Sequence, residues 1–348
     1  MYGLCMIRAG KFFRQCRIGT MRILSMAALG AALAVQTAPV GADDVGSVQT
    51  FFDTLFGTEM RGPPVYSSIF ERQLAAAAEA SQGRIGVAAV DLRTGRSLGV
   101  LGDQRFPMAS TSKVAIAATF LDGVDKGKWS LTSEFPMLMP VRSAPFSSPV
   151  APVREGQYLT AAKLLELMLT RSNNYATDGL LRVVGGPDAV NAWVRKAGVA
   201  DWHLDRDIAT LVRDDGALDP ARVIDTRDSA TPMAQVELLR GLYEGKWLSK
   251  RSRDTLISIM GRCVTGSRRI RAGLPDDAIV HHKTGSLHNT SSDIGIVETA
   301  DGDVFAVAIY VTGQGTRLNR ENRIADIART VYNGYLTESS GTRLTAAR

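Results

Sequence analysis

The chain has 348 residues and a formal net charge of +6. Arg8, Lys11, Arg14, Arg17 and Arg22 all fall within residues 1–42, where there is no Asp or Glu, and without that segment the formal charge is +1. The positive balance is therefore mostly targeting charge, which removes the case for nucleic acid or an anionic membrane as a partner.

Residues 1–42 join this basic start to an apolar stretch from Ile23 to Val35 and a small-residue end, Val40-Gly41-Ala42. That is the pattern of a secretory signal peptide cleaved near Ala42, and Met21 offers a second start that would give a leader of more ordinary length. Cys5 and Cys16 leave with the leader, so Cys263 is the only cysteine of the exported chain. Alone it can form neither an internal disulfide nor a metal site. No other segment approaches about 18 uninterrupted apolar residues, and no cysteine follows the apolar run to accept lipid. A periplasmic or secreted monomer is expected, without membrane anchor, cofactor or metal.

Residues 43–66, ending near Gly62-Pro63-Pro64, read as a lightly attached N-terminal extension, and residues 67–348 as one catalytic domain. Ser67 to Gln82 has a helical pattern. Arg84 to Leu92 alternates as a strand, is closed by Arg93-Thr94-Gly95, and finds a hairpin partner in Ser97 to Leu101. Between Ser110 and Met260 the signals are almost entirely helical: Lys113 to Val124 as a buried helix, Thr160 to Thr170, and starts at Pro187 and at Thr231-Pro232. Strands resume at Ala278 to Lys283, Ser291 to Thr299 and Asp303 to Val311, and a last helix runs from about Asn319 to Leu336. Strands at both ends with helices between imply a sheet whose halves are far apart in sequence. The α/β part then spans about 67–109 and 262–348, and an inserted helical part about 110–261.

Three short strings fall on this frame in order: Ser110-Thr111-Ser112-Lys113, Ser172-Asn173-Asn174 and Lys283-Thr284-Gly285-Ser286. Together they supply what serine acyl transfer needs without a histidine base. Ser110 stands before an apolar helix, where N–H groups and the dipole favour developing negative charge. Lys113 lies on the same helix face, and burial would lower its pKa and make it a proton acceptor. Ser172 could carry that proton to the departing group, and Asn174 could bind an amide carbonyl. Lys283 ends a strand where Gly285 removes a side chain beside a substrate backbone. The backbone N–H groups of Ser110 and Ser286 could jointly form an oxyanion hole. Singly, these strings are also what helix starts, capping turns and strand exits look like; the combination carries the chemistry.

Carrying these strings, the chain resembles the class A β-lactamases, within the penicillin-recognising serine enzymes. Phe106-Pro107-Met108-Ala109-Ser110, Leu159-Thr160, Gly185-Gly186-Pro187, Leu204-Asp205-Arg206, Arg227-Asp228 with Thr231-Pro232, and Arg269 to Pro275 extend the likeness over roughly Arg84 to Tyr335. The resemblance implies an α/β fold, an antiparallel sheet flanked by helices with an inserted all-α subdomain. It implies acylation of Ser110 by a β-lactam carbonyl, proton transfer through Lys113 and Ser172, and substrate-carboxylate binding by Lys283, Thr284 and Ser286. Arg269 would assist that binding, its other explanation being a surface arginine clustered with Arg268 and Arg271. Arg206 and Asp228 would close the following loop as an ion pair.

The departures bear on deacylation. Where the family has a Glu that holds the deacylating water and an Asn that shares it, this chain has Ile208 and Val212, and neither can bind water. The segment from Arg206 to Asp228 is also longer than the family's loop. Asp207, Asp214 or Asp215 could substitute as a base, although solvated loop acids are the simpler explanation. Asn173 replaces the usual Asp of the second string, removing a charge and a structural acceptor. Slow or atypical deacylation is expected. A peptidase or esterase acting on an acyl-peptide or ester, and a non-hydrolytic β-lactam-binding receptor, are the competing expectations. A metal hydrolase is disfavoured because His203, His281, His282 and His288 have no ligand spacing.

Overall fold

The computed structural model describes residues 66–346, with side chains as far as Ser339. The expected signal peptide, and all of the expected extension except Tyr66, lie outside the described residues. Helix α1 (Ile69–Ala77) begins with a capping box: the Ser68 hydroxyl accepts the N–H of Glu71, and the Glu71 carboxylate accepts the N–H of Ser68.

Five strands form the main sheet: β1 (Ile85–Asp91), β2 (Ser97–Val100), β8 (Ile279–Leu287), β9 (Thr290–Glu298) and β10 (Val304–Thr312). Their order is β2-β1-β10-β9-β8, antiparallel throughout, so segments from both ends of the sequence meet where Ile85 pairs with Val311. Side chains alternate between faces along a strand. One face, with Ala88, Val90, Ile294, Ile296, Ala308 and Tyr310, packs into the large helical core; the other, with Ile85, Val87, Val307, Ile309 and Val311, packs against α1 and the C-terminal helix α9 (Arg317–Ala346). Burial on both faces makes β1 and β10 nearly continuous apolar runs.

Between β2 and β8 lie α2 (Lys113–Asp125), α3 (Ala161–Thr170), α4 (Asn174–Val184), α5 (Gly186–Lys196), α6 (Ile208–Arg213), α7 (Pro232–Tyr243) and α8 (Lys250–Gly261). Thr160, Asn173, Thr231 and Ser249 cap α3, α4, α7 and α8, each accepting a backbone N–H of the first turn. This helical part also holds a hairpin, β4 (Glu134–Pro140) with β5 (Val153–Thr160), bulged between Pro136 and Leu138. The strands β3 (Phe106–Pro107), β6 (Trp202–His203) and β7 (Ser229–Ala230) form a small third sheet in the order β3-β7-β6.

Candidate active site

Ser110 sits in a 3-10 turn, Ala109–Ser112, entered through Ala109 at φ 50°. A left-handed alanine is strained backbone that the surroundings must hold. The neighbouring hydroxyls do the holding: Thr111 donates to Met108 O at 2.8 Å and lies 3.0 Å from the Tyr310 hydroxyl, while Ser112 donates to Ala109 O at 2.9 Å. Ser110 alone of the three remains partly exposed. Gly285 is required by the approach of β8 to this turn, because a Cβ there would meet Met108 O at 2.7 Å and the Ser292 hydroxyl at 2.4 Å. That corrects the expected reason for the glycine: the space is filled by the protein itself rather than by substrate.

Lys113, the first residue of α2, is buried. Its ammonium group donates to Ser172 O at 2.8 Å, Ser172 Oγ at 3.2 Å and Asn174 Oδ1 at 2.7 Å. Lys283, also buried, donates to the same Ser172 hydroxyl at 3.0 Å and to Thr284 O at 2.8 Å. Ser172 is held at φ 55°, a second strained non-glycine residue at the centre of the cluster. Burial and the charge of Lys283 push Lys113 well below the usual lysine range, against a smaller opposing pull from Asp178. Burial also brings Lys283 down to about 8. Two ammonium groups sharing one hydroxyl favour loss of a proton from one of them.

Asn173 keeps an acceptor in its turn, its Oδ1 taking the N–H of Ala176 at 2.9 Å as the cap of α4. The expected loss of a structural acceptor is therefore corrected; only the charge is gone. β8 continues through Ser286 to Leu287 instead of ending at Lys283, so Lys283, Thr284 and Ser286 lie on one edge strand. The Thr284 hydroxyl is 2.6 Å from that of Thr265, and Ser286 is exposed. Arg269 is 1 % exposed, which corrects the surface-cluster explanation. Its guanidinium donates to Gly285 O and Ser292 O at 2.8 Å each and to Ser286 Oγ at 2.7 Å, and pairs with Glu321 at 3.1 Å.

The loop after β6 is fastened by Asp228, itself at φ 46°. Its carboxylate accepts the N–H groups of Asp205 and Arg206 at 2.8 and 2.9 Å and the Arg206 guanidinium at 2.5 Å. Ile208 is buried at the start of α6, whereas Val212 is exposed. Asp178, on α4, accepts the N–H groups of Ile208 and Ala209 at 2.7 and 2.9 Å. Sequence patterning gave no sign of this anchor, because Asp178 reads as an ordinary polar helix residue.

The three loop acids are also engaged. Asp207 caps α6 by accepting the Thr210 N–H at 2.7 Å; Asp214 pairs with Arg213 at 2.7 Å and accepts the Phe146 N–H at 3.0 Å; Asp215 accepts the His288 N–H at 3.0 Å. Solvated loop acid is thus the wrong description of Asp214, which is buried against the β4–β5 connection. The Asp215 contact and the 2.8 Å bond from Asn289 Nδ2 to Asp219 tie the long loop to the β8–β9 turn.

Comparison with known proteins agrees with this arrangement. A family model described as the β-lactamase enzyme family matches residues 69–335. The β-lactamase Toho-1 of Escherichia coli is 32 % identical over 269 residues, covering 76 % of this chain and 89 % of that protein. The imipenem-hydrolysing β-lactamase of Enterobacter cloacae is 29 % identical over 248 residues, covering 70 % and 81 %. A solved variant of the reconstructed last common ancestor of Gram-negative class A β-lactamases superposes with a TM-score of 0.67 at 35 % identity, covering 78 % of this chain and 100 % of that one. A β-lactamase from Chitinophaga pinensis gives 0.66 at 30 % identity, covering 77 % and 100 %.

Proposed function

Since the chain belongs to the class A β-lactamase family and is a serine hydrolase of that type, we propose that it forms an acyl-enzyme with β-lactams at Ser110 and releases the acyl group slowly. Ser110 Oγ adds to the lactam carbonyl, the ring C–N bond breaks, and the nitrogen takes up a proton delivered through Ser172. Lys113, whose neutral form is favoured by burial and by the charge of Lys283, receives the proton that Ser110 loses. The backbone N–H groups of Ser110 and Ser286 receive the developing oxyanion; β8 is an edge strand, where alternate N–H groups face away from the sheet. Lys283, Thr284 and Ser286 hold the substrate carboxylate, Asn174 its amide carbonyl, and Arg269 acts through the Ser286 hydroxyl it bonds.

The single observation that supports acylation most strongly is the sharing of Ser172 Oγ by Lys113 and Lys283. Slow release rests on Ile208, an apolar buried residue where a water-activating group would be needed, and on the engagement of Asp207, Asp214 and Asp215 elsewhere. A missing general base costs about 10²- to 10⁴-fold. Export by residues 1–42 to the periplasm or medium, a monomeric state and a part in β-lactam resistance belong to the same proposal. Intact mass followed over time beside loss of a penicillin and of a cephalosporin tests it. A long-lived adduct, absent in Ser110→Ala, is expected. Rapid drug loss would remove the slow-release element, and no adduct and no drug loss in folded protein would remove acylation itself, leaving a peptidase or esterase.

A further inference from the structure

The turn that carries Ser110 is held by two side-chain hydroxyl bonds, one to the peptide before Ala109 and one to the peptide after it, and the first is fixed from the central sheet. Tyr310, on β10, is fully buried and faces the helical core. Its partner across the strands is Gly86 of β1, where a Cβ would meet the Phe106 ring at 2.3 Å. Phe106 fills that space and stacks on Tyr310, with ring centroids 5.7 Å apart. The phenol is thereby fixed with its hydroxyl 3.0 Å from Thr111 Oγ1. Thr111 has one hydroxyl hydrogen and donates it to Met108 O at 2.8 Å, so Tyr310 is the donor of the pair. Burial raises the phenol above its ordinary range, which keeps that donor protonated.

Both bonds end on carbonyls that flank the strained residue. Met108 O accepts the Thr111 N–H at 3.1 Å as well as the Thr111 hydroxyl, and the Met108 N–H donates to Asp228 O at 2.9 Å. Ala109 O accepts the Ser112 hydroxyl at 2.9 Å. Ala109 turns between these two anchored peptides at φ 50°, a conformation that an alanine leaves when nothing holds it. A trans peptide is planar, so fixing Ala109 O fixes the Ser110 N–H at the opposite edge of the same plane. Packing alone would be met by a phenylalanine at Tyr310 and an alanine at Ser112, without either hydroxyl.

We propose that Tyr310 and Ser112 are positioning residues for acyl transfer: Tyr310 through Thr111, and Ser112 directly, clamp the peptides flanking Ala109 and so aim the Ser110 N–H at the oxyanion. That N–H is an oxyanion donor in the acyl-transfer proposal above, on which the catalytic role of the clamp rests. Without the clamp Ala109 relaxes to negative φ, the peptide between Ala109 and Ser110 turns over, and one donor is misaimed. The loss falls on the bond-forming step, where charge develops, and not on the preceding encounter.

Two measurements on the full chain test the clamp. Acylation by benzylpenicillin, followed by quenched intact mass over a range of drug concentrations, separates the dissociation constant of the first complex from the acylation rate constant. Ser112→Ala should lower the rate constant about 10- to 100-fold and Tyr310→Phe roughly tenfold, losses no larger than that of a whole oxyanion donor. The dissociation constant should stay unchanged. Thr111→Val should behave as Tyr310→Phe does, and Thr111→Ser, which keeps the hydroxyl, should recover the loss. An unchanged rate constant in either Ser112→Ala or Tyr310→Phe, or a loss carried by the dissociation constant, overturns that residue's part in the clamp.

The peptide itself is read without substrate. Ala80-Ser81 and Ala109-Ser110 are the two Ala-Ser pairs of the sequence, so joint isotope labelling of alanine carbonyls and serine amides leaves two amide resonances, one of them Ser110. The wild type should give one sharp Ser110 resonance. In Ser112→Ala it should split or broaden by exchange, with that of Ser81 unmoved. A Ser110 resonance already broadened by exchange in the wild type overturns the clamp without reference to any variant's folding. If Ser110 takes no penicillin at all, the acyl-transfer proposal fails, while the labelled amide still decides whether the turn is held.

Discussion

Asp178 accepts the backbone N–H of Ile208 at 2.7 Å, so a buried carboxyl on α4 anchors the residue on which the proposed slow release rests. Burial raises this carboxyl, the charge of Asp207 adds to the rise, and the N–H groups of Ile208 and Ala209 with Lys113 only partly offset it, leaving it at about 7 against an ordinary 3.8. Below pH 3.8 the group is protonated in folded and unfolded chains alike. Between 3.8 and 7 the unfolded chain releases its proton while the folded chain keeps it, so this contribution to stability is lost as pH rises. Asp178→Asn retains one acceptor and cannot titrate. Its melting temperature minus that of the wild type should climb from pH 4 to 7 and then level off; a difference constant over that window would contradict the buried, proton-retaining carboxyl.

The two lysines predict the pH dependence of acylation. Lys113 must be neutral to accept a proton, and its depression well below the usual lysine range, by burial and then by the charge of Lys283, favours that form. Lys283 must be charged to attract a carboxylate, and it loses that charge above about 8. The second-order acylation rate with a carboxylate-bearing penicillin should therefore fall above pH 8. Lys283→Arg, whose guanidinium stays ionised, should abolish that fall even if its absolute rate is lower. Ser172→Ala, which removes the hydroxyl between the lysines, should cost about 10²- to 10⁴-fold in acylation, with a thermal midpoint close to that of the wild type.

How much of this was legible from sequence depended on whether a feature was local. Caps and apolar faces disclosed α2 and α3 to within a residue or two and the starts of α1, α5 and α7, and apolar runs between turn residues disclosed β1, β2, β9 and β10, because the determining residues are neighbours in sequence. The β4–β5 hairpin escaped because Pro136 and Pro140 argue against a strand, yet this two-stranded sheet tolerates them, with a bulge after Pro136. β8 reads short for a related reason: Gly285 looks like a strand exit, while its actual constraint is Met108 O, 177 residues away in sequence. The three strings were visible, but Asp178 and Glu321 were not. Their partners lie 30 and 52 residues distant, and no pattern on their own helices records them.

The acids of the long loop should prove structural. Asp207, Asp214 and Asp215 each accept at least one backbone N–H, and Asp214 additionally holds the buried Arg213 guanidinium, which in turn reaches Ser148. None should be a replacement base, so the deacylation rates of Asp207→Asn, Asp214→Asn and Asp215→Asn, measured by decay of the adduct mass, should match the wild type. A tenfold slowing in any one would identify a base and contradict this assignment. Asp214→Asn should still lower stability by about 1.5–3 kcal/mol, the usual cost of losing a hydrogen bond to a charged group, readable in urea.

Arg269 is predicted to matter more for the integrity of the site than for direct contact with substrate. Its guanidinium binds Gly285 O, Ser292 O and Ser286 Oγ at once, bracing the end of β8 against β9, and Glu321 from α9 balances its charge. Breaking a buried pair by removing one partner costs about 3–5 kcal/mol, so Arg269→Ala and Glu321→Ala should both lower the unfolding free energy read in urea by that order. Arg269→Lys should recover little of the loss, because one ammonium group cannot reproduce the planar fork that reaches two carbonyls and a hydroxyl together. Ser286→Ala separates the two roles: it removes the single hydroxyl that links Arg269 to substrate while leaving the carbonyl contacts in place. It should weaken binding of a carboxylate-bearing penicillin with stability nearly unchanged. An Arg269→Ala protein as stable as the wild type but deficient in binding would instead make the arginine a direct substrate ligand.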